Sequence, residues 1–201
     1  MYQRWLASFV IFVAAAISVA GCASSGASTY SAQTPEAIAA KVEIVEENDT
    51  AAINAPVISS RASFGEFSKG MLTGGSDFGN AVSLHGQRDA NGVLTHWLRA
   101  ELQYTNIGGV YRDYDRAGIE GIAALTVTPI SNDRHYSLNS VNMTEVIRID
   151  LAETDLRASM NSGFTLRLAD DSNHIAELTV PASYVAGYLQ RVDALLGQLP
   201  K

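Results

Sequence analysis

Cysteine and lysine are the scarce residues of this 201-residue chain, with one cysteine, Cys22, and three lysines, Lys41, Lys69 and Lys201. A single thiol closes no disulfide within the chain and builds no cysteine metal site, so stability must come from a packed core. The three lysines and eleven arginines are outnumbered by 21 acids, for a net charge of −7, and no basic run occurs. Nucleic-acid binding needs a basic footprint for phosphate, which this composition lacks. Peripheral attachment to anionic lipid headgroups is excluded on the same ground. Apolar length is short as well. Trp5 to Ala20 offers sixteen residues, with Ser8 and Ser18 as its polar members. As a helix it would reach roughly 24 Å, less than the roughly 30 Å hydrocarbon layer.

What is present begins with that segment. It follows Met1-Tyr2-Gln3-Arg4 and ends in Val19-Ala20-Gly21-Cys22. A short basic start, an apolar middle and a small-residue exit describe an export signal. The last four residues resemble a bacterial lipobox, in which an aliphatic and two small residues precede the acylated cysteine. Val19 stands where that family more often has Leu. The resemblance implies cleavage after Gly21 and lipid on Cys22. It also implies two or three acyl chains, which anchor stably where one chain binds only marginally. Ala23 follows the cysteine, not the Asp of an inner-membrane retention signal, which implies the periplasmic face of the outer membrane. Loss of residues 1–21 removes one base, Arg4, and no acid, moving the net charge from −7 to −8.

Residues 23–34 are rich in Ala, Ser, Gly and Thr and read as a flexible tether, spanning roughly 20 Å. Thr34-Pro35-Glu36 predicts a helix start over residues 35–40. Residues 41–47 either continue it or form an edge strand, the strand being preferred. From Val57 the dominant period is two, as β-strands require. One strand is expected over residues 57–64. A hairpin is expected from residues 81–87 and 93–105 around Arg88-Asp89-Ala90-Asn91-Gly92. In its second arm His96, Leu98, Ala100, Leu102 and Tyr104 share one face, and Trp97, Arg99, Glu101 and Gln103 the other. Further strands are expected over residues 110–117, 123–130 and 141–151, then a short helix from Leu151. A second hairpin follows, Phe164–Leu168 and His174–Val180. Pro181 opens a helix whose apolar stripe is Tyr184, Val185, Tyr188, Leu189, Val192, Leu195, Leu196 and Leu199.

The fold expected is mainly β, an antiparallel β-sandwich with a C-terminal amphipathic helix. Residues 1–21 form the signal peptide. Residues 22–55 hold the lipid-attachment cysteine and the tether, with its short helix or edge strand, and residues 56–201 form one domain. Leu98–Tyr104, Phe164–Leu168 and Val180–Leu189 together are similar to a group of uncharacterised exported proteobacterial domains. That resemblance covers residues 42–196 and implies a β-sandwich ending in strand, proline and helix, with no activity attached.

Motifs that carry chemistry are absent. His85, His96, His135 and His174 lie 11, 39 and 39 residues apart, so no pair has metal-ligand spacing. Asp89-Ala90-Asn91-Gly92 opens like a calcium loop, but its twelfth position is Ala100 where a Glu is required. Gly74-Gly75-Ser76-Asp77-Phe78-Gly79 misses a nucleophile elbow by one residue, and Gly70–Gly79 lacks the Lys-Ser/Thr of a phosphate loop. Glu145 shares a strand face with Met143, Ile147, Ile149 and Leu151. Buried, it needs a partner or acts as a general acid with raised pKa; at a strand end it reaches solvent or pairs with an arginine. Trp97, Arg99, Gln103, Arg112, Tyr114, Arg116, Arg148 and Arg167 fall on solvent-side phases. They could grip a sugar, a peptidoglycan fragment or a partner's carboxylates.

The reading is a lipid-anchored outer-membrane protein with a non-enzymatic binding or assembly role and no cofactor. Its partners are the membrane, through Cys22, and an envelope protein. The alternative is an envelope hydrolase acting on glycan, lipid or peptide, with Ser76 or Glu145 meeting a base or acid across strands.

Overall fold

Thr34 caps the first helix. Its hydroxyl accepts a hydrogen bond from Ala37 N–H at 3.3 Å, and Pro35 fills the first helical position of α1 (Pro35–Ala39). Four short strands follow: β1 (Glu43–Glu47), β2 (Thr50–Asn54), β3 (Ile58–Ser60) and β4 (Ser63–Gly65). The long hairpin is β5 (Asn80–Arg88) and β6 (Leu94–Thr105); β7 (Arg116–Ile119), β8 (Val127–Ser137) and β9 (Ser140–Leu151) come next. Then come α2 (Glu153–Ala158), β10 (Phe164–Ala169), β11 (Ile175–Val180) and α3 (Ala182–Gly197). The computed structural model describes residues 32–47, 49–60, 63–65, 80–105, 108–122, 124–137, 140–172 and 174–197. The expected export signal with Cys22, residues 70–79 with Ser76, and Leu199 lie outside them.

The strands make two antiparallel sheets. Seven form the order β1-β2-β5-β6-β9-β8, with β3 also paired to β5, and four form β4-β11-β10-β7. The expected mainly-β sandwich with a C-terminal helix is therefore the architecture found. Alternation decides which side chains go inward. On β6 His96, Leu98, Ala100, Leu102 and Tyr104 are buried, as the period of two requires. The inner faces of both sheets, Ile38 of α1 and the α3 stripe Tyr184, Val185, Tyr188, Leu189, Val192 and Leu195 share one buried cluster. α1, β1 and β2, all upstream of residue 56, belong to this body.

Two close approaches fix α3 against the rest. A Cβ at Gly187 would lie 2.6 Å from the Pro35 carbonyl oxygen and 2.7 Å from Ile38 Cβ, so α1 packs directly on the helix backbone. A Cβ at Gly86 would lie 2.5 Å from Tyr188 Oη. Tyr184 does a different job. Between β2 and β3 the chain leaves its partner β5, and the Tyr184 hydroxyl fills the break. It donates to the Pro56 carbonyl at 2.6 Å and accepts Leu84 N–H at 3.2 Å.

Several strands depart from expectation. The run 57–64 is two strands, β3 and β4, in different sheets. Residues 110–115 form no strand, because the Arg112 N–H is given to side chains of the core and Asp113 turns the backbone with φ 53°. β8 starts later and runs further than residues 123–130. Its register slips between Pro129 and Ser131, which leaves Ile130 bulged and 52% exposed; proline, lacking an N–H, suits such a break. Thr50–Asn54, unforeseen, is a strand with Ala51 and Ile53 buried. The edge strand β1 exposes Glu43, Glu46 and Glu47, charges that discourage pairing with another chain.

Candidate functional site

The outer face of the seven-stranded sheet carries the polar side chains that register brings together. Asn54 lies opposite His85, His85 opposite Trp97, and Trp97 opposite Asp150, one continuous row across β2, β5, β6 and β9. The next row is Ser83, Arg99, Arg148 and Thr128. Within the first row His85 and Trp97 stack, ring centroids 5.7 Å apart and planes 11° from parallel. The Arg148 guanidinium sits 4.2 Å from the Trp97 ring centroid. β5 and β9 flank β6 on opposite sides, so the indole is packed by one neighbour from each strand. Each guanidinium is anchored within its own strand: Arg99 on Glu101 at 3.2 Å, Arg148 on Asp150 at 2.7 Å. Exposed pairs of this kind contribute on the order of 0.2–1 kcal/mol, so they orient the side chains more than they stabilise the sheet.

His85 is held in one tautomer. Its Nδ1 lies 2.9 Å from Asn54 Oδ1, which can only accept, so Nδ1 carries the proton and donates. Nε2 then accepts from the Ser83 hydroxyl at 2.8 Å. Burial, helped by the nearby Arg99 charge, holds the His85 pKa below its ordinary value, so the imidazole is neutral at neutral pH. Serine, histidine and asparagine stand here in the order nucleophile, base, orienting group. Two facts deny this trio the chemistry. Ser83 is 1% exposed on a regular strand, and the neighbouring Leu84 N–H, a candidate oxyanion donor, is already taken by Tyr184. The chain locks the imidazole flat against Trp97.

Of the eight solvent-side candidates, Trp97, Arg99, Gln103 and Arg148 share this face. Arg116 and Arg167 lie on the four-stranded sheet, Arg167 opposite Glu177. Arg112 and Tyr114 face inward and join Glu145. Glu145 is 1% exposed in mid-strand, not at a strand end open to solvent. Its Oε1 accepts from the Tyr104 hydroxyl, in a short bond, and from Arg112 N–H at 2.9 Å. The Arg112 guanidinium lies 4.4 Å from the Tyr104 ring centroid and donates to Tyr114 Oη at 3.1 Å. Burial first, then the bond to Glu145, pushes the Tyr104 pKa well up, so the phenol stays a neutral donor. This buried cluster ties down residues 108–115, the connection from one sheet to the other.

The other histidines are dispersed. His135 is exposed on β8, and His174 Nδ1 lies 2.5 Å from Asp170 Oδ2. His96 is buried with Nδ1 2.8 Å from Tyr188 Oη, while its Nε2 has no hydrogen-bond partner among the described residues and is 4.0 Å from Glu153. Among the described residues no three His, Cys, Asp or Glu side chains gather to hold a metal. Asp89 Oδ1 accepts from Asn91 N–H at 3.0 Å and Val93 N–H at 2.8 Å, making the hairpin turn.

Burial lowers the pKa of both His85 and His96 from the ordinary 6.5. The unfolded chain then binds more protons than the folded one below about pH 6.5. Stability from the neutral imidazoles is complete above that pH and is lost as pH falls through the depressed folded values. The midpoint of urea unfolding is expected to drop between pH 7 and pH 5. His96→Gln is expected to flatten that slope, and an unchanged slope contradicts the assignment.

Ser83 and Asn54 are the residues that sequence reasoning missed. Ser83-x-His85 shares a face of a strand correctly expected, so that half was visible; Asn54 sits on β2, which was not. Comparison with models of known families, with curated proteins and with solved structures found no match.

Proposed function

We propose that this chain is a lipid-anchored protein of the bacterial envelope. It is held by acylated Cys22 at the periplasmic face of the outer membrane and binds an envelope partner through the outer face of its seven-stranded sheet. The observation that carries the binding half is the cross-strand row Asn54, His85, Trp97 and Asp150, with Arg148 packed on the indole. Every member is held by a neighbour, so the face is arranged before any ligand arrives, which lowers the entropy lost on binding. The buried, committed Ser83 favours recognition over hydrolysis at this face. No helix among the described residues is long and apolar enough to cross a membrane.

The test is photo-crosslinking in native cells, with a benzophenone amino acid at one of two exposed strand positions. Thr95 adjoins Trp97 on the proposed face, and Thr165 lies on the outer face of the four-stranded sheet. A discrete adduct is expected from position 95 and none from position 165. Adducts of equal yield from both, or none from 95, overturn the reading.

A further inference from the structure

Arg88 closes β5 on the inward side of the seven-stranded sheet. It continues the buried series Val82, Leu84 and Gly86 and is itself 9% exposed. Among the described residues it is the one arginine that is buried. A charge taken out of water is costly unless a counterion and hydrogen bonds replace the solvent. Arg88 has neither. Its Nε is sealed from solvent with no hydrogen-bond partner, and among the described residues its side chain makes no ion pair. The acids nearest in chain and register do not serve it. Asp89 spends Oδ1 on the turn, accepting from Asn91 and Val93 N–H. Glu46 lies opposite Ala51, which lies opposite Arg88, so it stands two strands away and exposed. The more exposed Arg99, Arg116, Arg148 and Arg157 each hold a carboxylate.

We propose that Arg88 binds a monoanionic carboxylate group of a ligand at the inner rim of the seven-stranded sheet. The bound group supplies the counterion that the described residues lack. One edge of a guanidinium presents Nε–H and an Nη–H side by side, and the two oxygens of a carboxylate accept both. A water would fill the Nε donor and leave the charge unanswered. Charge also selects among oxyanions. Ala51 and Leu94, opposite Arg88 on β2 and β6, are apolar and add no second base. A dianionic phosphate would therefore bring in a charge that nothing there answers. The site lies on the opposite face of the sheet from the Trp97 row, so it stands or falls apart from the reading of that outer face.

The test is thermal unfolding of the full-length protein in detergent, with sodium acetate, sodium phosphate or sodium chloride at equal ionic strength. Acetate is expected to raise the midpoint saturably, by about 3 °C or more over chloride, as a ligand of the folded state does. Arg88→Met is similar in length and uncharged. It is expected to unfold at a higher temperature than wild type in chloride and to lose the acetate response. Arg88→Lys keeps the charge and lacks the Nε edge, so it should need roughly tenfold more acetate for the same rise. The Nε–H resonance of Arg88, in protein with isotope-labelled arginine, reports on the wild-type chain directly. Acetate should move that one signal, half-maximally at the concentration that half-raises the midpoint. No acetate effect beyond chloride, an unmoved Arg88 signal, a larger response to phosphate, or an Arg88→Met midpoint below wild type overturns the proposal.

Discussion

Replacing Glu145 by Leu is expected to destabilise the fold by about 1–3 kcal/mol, the usual cost of leaving a buried donor without its acceptor. The substitution strips the acceptor from the Tyr104 hydroxyl and leaves the Arg112 N–H with Tyr104 Oη alone. Glu145→Gln keeps an oxygen where Oε1 stands and is expected to lose far less. The measurement is chemical denaturation of both variants, with amide exchange at Arg112 as the local reporter. The Leu variant should lose protection there. A Leu variant within about 1 kcal/mol of wild type means the cluster does not hold the inter-sheet connection.

Gly187→Leu is the second large effect, and its sign is informative. At an ordinary helix interior, replacing glycine adds helix propensity, worth on the order of 1 kcal/mol for Ala. Here the first added atom meets the Pro35 carbonyl and Ile38. Overpacking of this kind costs roughly 1–3 kcal/mol, and relief requires α1 to lift from α3. Ile38, fully buried, would then be exposed. Both Gly187→Ala and Gly187→Leu are expected to lower the denaturation midpoint, Leu more. Amide exchange should quicken at Ile38 N–H, which bonds the Thr34 carbonyl at 3.2 Å. If Gly187→Ala stabilises instead, α1 does not pack as described.

Much of this body was legible in the chain because alternation is a local signal. The inward and outward sets of β6, the turn at Asp89 and the α3 stripe follow from side-chain period and turn chemistry alone. Residues 110–115 misled because they alternate like a strand, yet the Arg112 amide is satisfied by Glu145, 33 residues away. β2 was hidden because Thr-Ala-Ala-Ile-Asn has little strand character, and its place comes from pairing with β5. The outer face was half readable. Which residues point to solvent is local, but the rows His85–Trp97–Asp150 and Arg99–Arg148 exist only through register between strands. Ser83 shows the limit most plainly: its spacing to His85 is in the sequence, while the burial that removes it from chemistry is not.

The account as a whole depends on where the chain is held. Mass spectrometry of the amino-terminal peptide, from protein extracted from native membranes, tests that directly. The prediction is a first residue Cys22 carrying a diacylglyceryl group on sulfur. A peptide that begins at Met1, or an unmodified Cys22 in protein recovered from the aqueous fraction, would contradict it.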